Sequence, residues 1–252
     1  MNTFVSSKYV ALLQQHQLDS FSALWGYQGE WFELPNRERG GWSGVNYIEL
    51  RDDAGQTHGF YLKRQQGHMR KTWRHPIVGE PTFVREYQIL QYLKNYPVAT
   101  PELVFFAANK DHAILMTKAL TGFVSVDHFL KTATHLTLKS KRRLMQSLAG
   151  IVRQLHDARV QHRSLYAKHL FVRVLVENGQ APAFDVAMID FEKSRISCWI
   201  FITKLFDLMT LHYRTDDLTC THRLYFFKEY FKVNQWTFFY KQLFNYMRLR
   251  AK

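Results

Sequence analysis

The sequence predicts an α+β chain in two parts, a β-rich first half and a mainly helical second half. Three observations carry this. Short apolar runs separated by Gly, Pro and Asp turns fill the stretch from Trp31 to Met116. Helical periodicity dominates beyond Gly122, above all from Leu138 to His156. Aromatic residues, 15% of the chain, recur among basic ones after Trp199.

In chain order, residues 4–24 carry apolar side chains at helix-like spacing, with a break at Asp19-Ser20. Trp31 to Leu34 reads as a strand, and Pro35 to Gly44 as a loop. Val45 to Leu50 alternates, Asp52-Asp53-Ala54-Gly55 makes a turn, and Gly59 to Lys63 forms a third strand. Glu80-Pro81 fits a helix start with Pro in the first turn. Phe83, Tyr87, Leu90 and Leu93 continue that helix over 80–95, and Pro97 and Pro101 end it. Leu103 to Ala107 and Ala113 to Met116 are two more strands. Thr117 to Gly122 reads as a connector, which divides the chain into 1–116 and 117–252. In the second part Leu170 to Leu175 and Val186 to Ile189 read as strands about a turn at Asn178-Gly179.

The 252 residues suit one domain of two parts, and a 46% hydrophobic share supplies a sizeable core. A net charge of +13 favours polyanionic partners without choosing among them. No nucleic-acid motif accompanies the charge, so nucleic acid is not an expected partner. Two cysteines, Cys198 and Cys220, make no disulfide framework, form no zinc site without His or carboxylate help, and suit a reducing compartment. No leader peptide and no membrane-length apolar run is read in the sequence. A cytoplasmic protein, at most peripheral to a membrane, is the expectation. The 12 histidines include no H-E-x-x-H pair, and no dedicated transition-metal site is expected.

Four places carry chemistry. Arg39-Gly40-Gly41-Trp42-Ser43-Gly44 lies between two strands, and glycines there let backbone N–H groups approach phosphate oxygens. Lys63 ends the third strand, where an ammonium can pair with phosphate and with a carboxylate, Glu86, on the following helix. The segment His156 to Val172 leaves a long helix and enters a strand. Ala187-Met188-Ile189-Asp190-Phe191-Glu192 is a strand ending in a carboxylate, a place from which Mg²⁺ can be held. Taken singly, each also has a plain structural reading: a hairpin turn, surface charges, a loop, a turn-initiating Asp.

Together they resemble a protein kinase. His162-Arg163-Ser164-Leu165-Tyr166-Ala167-Lys168-His169 lines up with the catalytic loop H-R-D-L-x-x-x-N, and Asp190-Phe191-Glu192 with D-F-G. Tyr166 and His169 also fit the H-x-x-x-Y-x-x-H loop of bacterial lipopolysaccharide kinases of the Kdo kinase, WaaP and InaA kind. The resemblance covers roughly residues 30–215. It implies a two-lobed protein-kinase-like fold: a small β-rich N-lobe over 1–116 and a mainly helical, shortened C-lobe over 117–252. It implies ATP between the lobes, with Gly40, Gly41 and Gly44 over its phosphates and Lys63 held by Glu86. Asp190, with His169, would bind Mg²⁺, and His162, Arg163, Ser164, His169 and Asp190 would form the catalytic set. The implied acceptor is an anionic or lipid-linked sugar hydroxyl of lipopolysaccharide core or a related envelope molecule, reached at the cytoplasmic face of the inner membrane.

The match departs at Ser164, which stands where kinases carry the catalytic Asp. Loss of general-base help costs about 10²–10⁴-fold in rate, so the alternative is a pseudokinase that binds nucleotide or a partner without transferring phosphate. Asp157 and Asp185 are candidates to replace the base. His169 stands where an Mg²⁺-binding Asn is usual, and imidazole is a poorer ligand for that ion. No A-P-E motif follows Asp190, which argues for a small or lipid-linked acceptor over a protein. Asp207 is a candidate to buttress the loop from a helix. Tyr225 to Lys232 reads as an aromatic core helix before a membrane-surface one. Arg64 to Arg74 reads as a basic loop open to an anionic substrate.

Overall fold

The alternating runs of the first half build a six-stranded antiparallel sheet. Its strands are β1 (Asn2–Val5), β2 (Trp31–Asn36), β3 (Trp42–Arg51), β4 (Thr57–Gln66), β7 (Leu103–Asn109) and β8 (His112–Lys118), in the order β1-β7-β8-β4-β3-β2. The computed structural model describes residues 2–37, 40–71, 77, 79–133, 136–175, 182–213, 215, 218–235 and 237–249. The chain divides into two compact units. One comprises Met1–Gln91 with Pro101–Thr121, the other Tyr92–Thr100 with Gly122–Lys252.

In the first unit the period of two in β3 and β4 decides what each face carries. Ile48 and Leu50 of β3, Phe60 and Leu62 of β4, and Ile114 and Met116 of β8 point to one face, where they are buried. Two short helices, α1 (Val10–Gln15) and α2 (Phe21–Trp25), bring Leu12, Leu13 and Leu24 onto the same core. Arg64 falls on this face as well, and it is 4% exposed. Its guanidinium donates to the Trp25 carbonyl at 2.5 Å and to Asn46 Oδ1 at 2.8 Å, and lies 4.6 Å from the centre of the Trp31 ring. A buried cation is tolerable when its donors are matched in this way. Lys63 falls on the opposite face. There α3 (Thr82–Leu93) stacks Tyr87 on Phe106 at 4.0 Å between ring centres.

Several expectations are corrected here. Residues 4–24 are not helical throughout: Asn2–Val5 pairs with β7 as an edge strand, and Ser20 caps α2 by accepting from the Ala23 amide at 3.2 Å. Trp42, Ser43 and Gly44 belong to β3, paired with Gln66, Gln65 and Arg64 of β4, so the loop is shorter than the glycine pattern suggested. Glu80–Pro81 is a strand, β6, pairing with β5 (Met69–Arg70), and the helix begins at Thr82. Arg64 is therefore no loop residue; of the expected basic loop, 72–74 lie outside the described residues. Thr117 and Lys118 complete β8. The turn at Asn178-Gly179 also lies outside the described residues.

The second unit is organised on one long helix. Short β9 (Val124–Ser125) leads into α4 (Val126–Thr132), and then α5 (Leu138–Asp157) begins. Its N-cap Thr137 accepts from the Ser140 amide at 3.1 Å. Leu144, Met145, Leu148, Val152 and Leu155 form its buried stripe. A short β10 (Val160–Gln161) precedes the hairpin of β11 (Leu170–Leu175) and β12 (Ala183–Met188), and β13 (Arg195–Ile196) returns to pair with β10. Three helices close the chain: α6 (Ile200–Tyr213), α7 (Cys220–Phe231) and α8 (Phe238–Leu249). Phe226, Phe227 and Tyr230 of α7 are buried, as expected for a core helix.

His212 of α6 is also buried, and neither ring nitrogen has a hydrogen-bond partner among the described residues. Burial, with Arg223 beside it, lowers its pKa from 6.5 to about 3. The folded value lies below the unfolded one, so the stability tied to the neutral ring is complete above pH 6.5 and is withdrawn as pH falls toward 3. Urea unfolding across that interval is expected to show a steeper acid loss of stability in the wild type than in His212→Leu. Equal slopes would remove His212 from the acid response.

Candidate active site

In the first unit β4 and α3 bring Lys63 and Glu86 together, with Nζ 2.7 Å from Oε1. Gln65 fixes this geometry. Buried two residues along β4, its Oε1 accepts from the Thr82 hydroxyl at 2.9 Å and from the Phe83 amide at 3.3 Å, so the start of α3 is tied to the strand carrying Lys63. The Glu86 side chain is 4% exposed and that of Lys63 21%. A buried carboxylate thus aims a partly accessible ammonium, an arrangement that can meet a phosphate oxygen.

The glycine segment runs beside Lys63, since Gly44 precedes Val45, the cross-strand partner of Lys63. Arg39 lies outside the described residues. Gly41 and Gly44 have packing reasons for lacking a side chain. A Cβ at Gly41 would stand 2.3 Å from the Gln66 carbonyl, and one at Gly44 2.6 Å from the Trp31 ring. Gly40 differs: its φ is +74° and a Cβ there would meet nothing within 4 Å. Its backbone conformation is what calls for Gly.

In the second unit the loop after β10 is built around the Asp207 carboxylate of α6, which is fully buried. Oδ2 accepts from the His162 amide at 2.6 Å, and Oδ1 from the Arg163 amide at 2.8 Å. His156, at the end of α5, donates through Nε2 to Oδ2 at 3.2 Å. Its Nδ1 lies 2.7 Å from the Tyr230 hydroxyl, whose pKa burial pushes up, so the phenol keeps its proton and donates it. Asp207 is legible in the sequence as a candidate buttress, whereas His156 and Tyr230 are not singled out there. The signal for them was a His on the apolar stripe of α5.

His162 donates from Nε2 to the Ile189 carbonyl at 3.1 Å, and burial pushes its ring pKa down. Ser194, which the sequence does not single out, donates to the His162 carbonyl at 3.0 Å. The loop is therefore tied on one side to α6 and on the other to the segment carrying Asp190. Arg163 has φ +64° and Asp190 φ +65°. Left-handed backbone at residues other than Gly costs about 1–3 kcal/mol each.

Asp190 meets His169, with Oδ2 3.2 Å from Nε2. His169 Nδ1 lies 2.7 Å from the Ser164 carbonyl, which can only accept, so Nδ1 carries a proton. In the neutral ring Nε2 is then a lone pair turned toward a carboxylate oxygen. Two electron-pair donors facing one another fit a cation between them, or a proton on the ring. No group of three or more His, Cys, Asp or Glu among the described residues could hold a metal ion. One carboxylate with an imidazole still fits Mg²⁺, which keeps several waters and takes the rest of its ligands from substrate phosphates.

Ser164 does not join this set through its side chain. It is 2% exposed, and Oγ has no hydrogen-bond partner among the described residues. The two candidate replacement bases are engaged elsewhere. Asp185 pairs with Arg173 at 2.6 Å on the β11–β12 hairpin, five residues before Asp190. Asp157 pairs with Lys204 at 3.3 Å.

The chain superposes on a solved structure of WaaP in complex with acyl carrier protein with a TM-score of 0.71 at 20% identity, covering 100% of this chain and 98% of that one. It shares that fold. The family model of the lipopolysaccharide kinase (Kdo/WaaP) family matches residues 22–239. Protein InaA of Escherichia coli (strain K12) is 30% identical over 197 residues, 76% of this chain and 82% of that protein. The chain belongs to the lipopolysaccharide kinase (Kdo/WaaP) family, a family of kinases.

Asp207→Ala leaves two backbone amides and the His156 ring without their acceptor. A loss of about 3 kcal/mol or more in urea unfolding is expected. A loss below about 1 kcal/mol would mean that the loop does not depend on this carboxylate.

Proposed function

We propose that this kinase moves a phosphoryl group from ATP to a sugar hydroxyl of lipopolysaccharide core or a related cell-envelope molecule. The observation that carries the reading is the pairing of Asp190 with His169 at the end of a loop whose backbone is held by Asp207. The Lys63–Glu86 pair supports it from the first unit. In this reading the first unit is the N-lobe and the second the C-lobe of a protein-kinase-like chain.

Each role follows from local chemistry. Lys63 neutralises phosphate charge, and Glu86 keeps its ammonium aimed. Gly40, whose left-handed backbone calls for Gly and which bears no side chain over the turn, leaves the backbone beside Lys63 open to phosphate. Asp190 and His169 would hold one Mg²⁺, which supplies charge neutralisation and orients phosphate oxygens when bound. His162 and Arg163 position the loop, the first through Ile189 and the second through Asp207. Ser164 is not a base in this scheme, because its hydroxyl is buried. Phosphoryl transfer passes through a loose transition state, so positioning and charge can sustain turnover without one.

A second reading, nucleotide binding without transfer, is favoured by the same buried Ser164. ATP as donor suits action on the cytoplasmic side of the envelope. Among the described residues no helix is long and apolar enough to cross a membrane.

Two variants separate these readings. Asp190→Ala is expected to lower Mg²⁺-dependent ATP turnover with a lipopolysaccharide-core acceptor by about 10²–10³-fold, with an unchanged melting temperature. Wild-type ATP binding without any phosphate on the acceptor would leave the binding-only reading standing. Ser164→Ala is expected to change turnover by less than about threefold, whereas removing a working base costs about 10²–10⁴-fold.

A further inference from the structure

Helix α6 is apolar on two sides, and only one of them is covered. Thr203, Asp207, Leu208 and Leu211 are buried. Trp199, Ile202 and Phe206 recur at intervals of three and four, which puts them on another face of the same helix. Trp199 is part of the helix geometry, because its carbonyl accepts from the Thr203 amide at 3.3 Å. These three side chains are 78%, 54% and 58% exposed. Ile196, just before the helix, is exposed too. Single exposed apolar residues need no explanation, but a row of them with a tryptophan does.

We propose that this face of α6 docks on an anionic lipid surface. The case for lipid rests on what surrounds the row. Lys193 and Arg195 are exposed in the segment leading into the helix, and Arg159, whose carbonyl meets that segment at Ser197, is exposed too. Arg195 is fixed by donating from Nε to Gln161 Oε1 at 2.9 Å, and the Arg159 carbonyl accepts from the Ser197 amide at 2.8 Å. Tryptophan and aliphatic side chains flanked by Lys and Arg suit the boundary between acyl chains and anionic headgroups. A second copy would bring the same cations face to face across a two-fold axis, in a chain of net charge +13.

The position adds a consequence. β13, which carries Arg195 and Ile196, pairs with β10, and β10 runs directly into His162. A bilayer held at α6 is thus braced to the strand pair that leads into the loop, the side from which a lipid-linked acceptor would be presented. That last step rests on the proposed phosphotransfer; the docking itself does not.

The test is cosedimentation of the full chain with phosphatidylcholine vesicles and with vesicles that also contain phosphatidylglycerol. Wild type is expected to bind the anionic vesicles and to bind neutral ones at least about tenfold more weakly. The triple variant W199S/I202S/F206S is expected to lose about tenfold or more of the anionic binding with an unchanged melting temperature. Trp199→Ala alone repeats the test with a milder change, and K193Q/R195Q should weaken anionic binding by about fivefold or more. The proposal fails if wild type ignores anionic vesicles, or if the triple variant binds them as wild type does. It also fails if the triple variant instead abolishes a wild-type dimer in sedimentation equilibrium and leaves vesicle binding intact. ATP turnover on a water-soluble core fragment is measured alongside: lost vesicle binding with intact turnover concerns the docking face, and the reverse concerns the phosphotransfer reading.

Discussion

The loop that carries the candidate chemistry depends on one carboxylate. Asp207 accepts from the amides of His162 and Arg163 and from the ring of His156, all in a dry interior. Hydrogen bonds to a charged acceptor contribute about 1.5–3 kcal/mol each. Two of them at the start of the loop are enough to offset the left-handed backbone of Arg163, which costs about 1–3 kcal/mol. A strained residue persists only where its surroundings over-determine it, and here they do. The His162 ring then reaches the Ile189 carbonyl, so the same carboxylate indirectly sets where Asp190 emerges from its strand.

A consequence is that the second unit separates support from chemistry. His156, Tyr230, Asp207, His162 and Ser194 are at least nine-tenths buried and bonded to one another or to the loop backbone. Asp190 is the partly open end of this assembly, with its side chain 34% exposed. The first unit repeats the pattern on a smaller scale, where Gln65 and Glu86 are buried and Lys63 is the accessible member. Rigid interior polar groups that orient one accessible charge are what electrostatic catalysis of group transfer calls for.

Much of this was legible in the sequence because it is written in local patterns. The alternation of β3 and β4 and the stripe on α5 follow from spacing and residue type, whereas Glu86 as the partner of Lys63 is one candidate among surface charges until the order of the kinase motifs singles it out. What was not legible depends on contacts distant in the chain. Asn2–Val5 is a strand only because β7 offers it an edge. Pro81 could be read as a helix start because nothing nearby reveals that Arg70 pairs with Glu80 across a two-stranded ladder. Gly41 and Gly44 suggested phosphate, yet the Gln66 backbone and the Trp31 ring already account for them. Ser194 carried no signal, since a buried serine that holds a carbonyl looks like any other. The exposed apolar row lies on α6, while the aromatic run around Tyr225 turns inward because α5 and α8 cover it.

Lys63 and Arg64 are neighbours in sequence with opposite fates: one cation faces Glu86 and the other is sealed against Trp31 and Asn46. Because strand neighbours point to opposite faces, a slip of one residue in β4 would exchange them. The net charge and composition would be untouched, but the guanidinium would stand before Glu86 and the ammonium would be interred in the apolar layer. The hairpin turn at residues 52–56, which sets that register, is therefore a place where insertions and deletions would be counted by parity, an odd change silencing the strand and an even one leaving its faces in place.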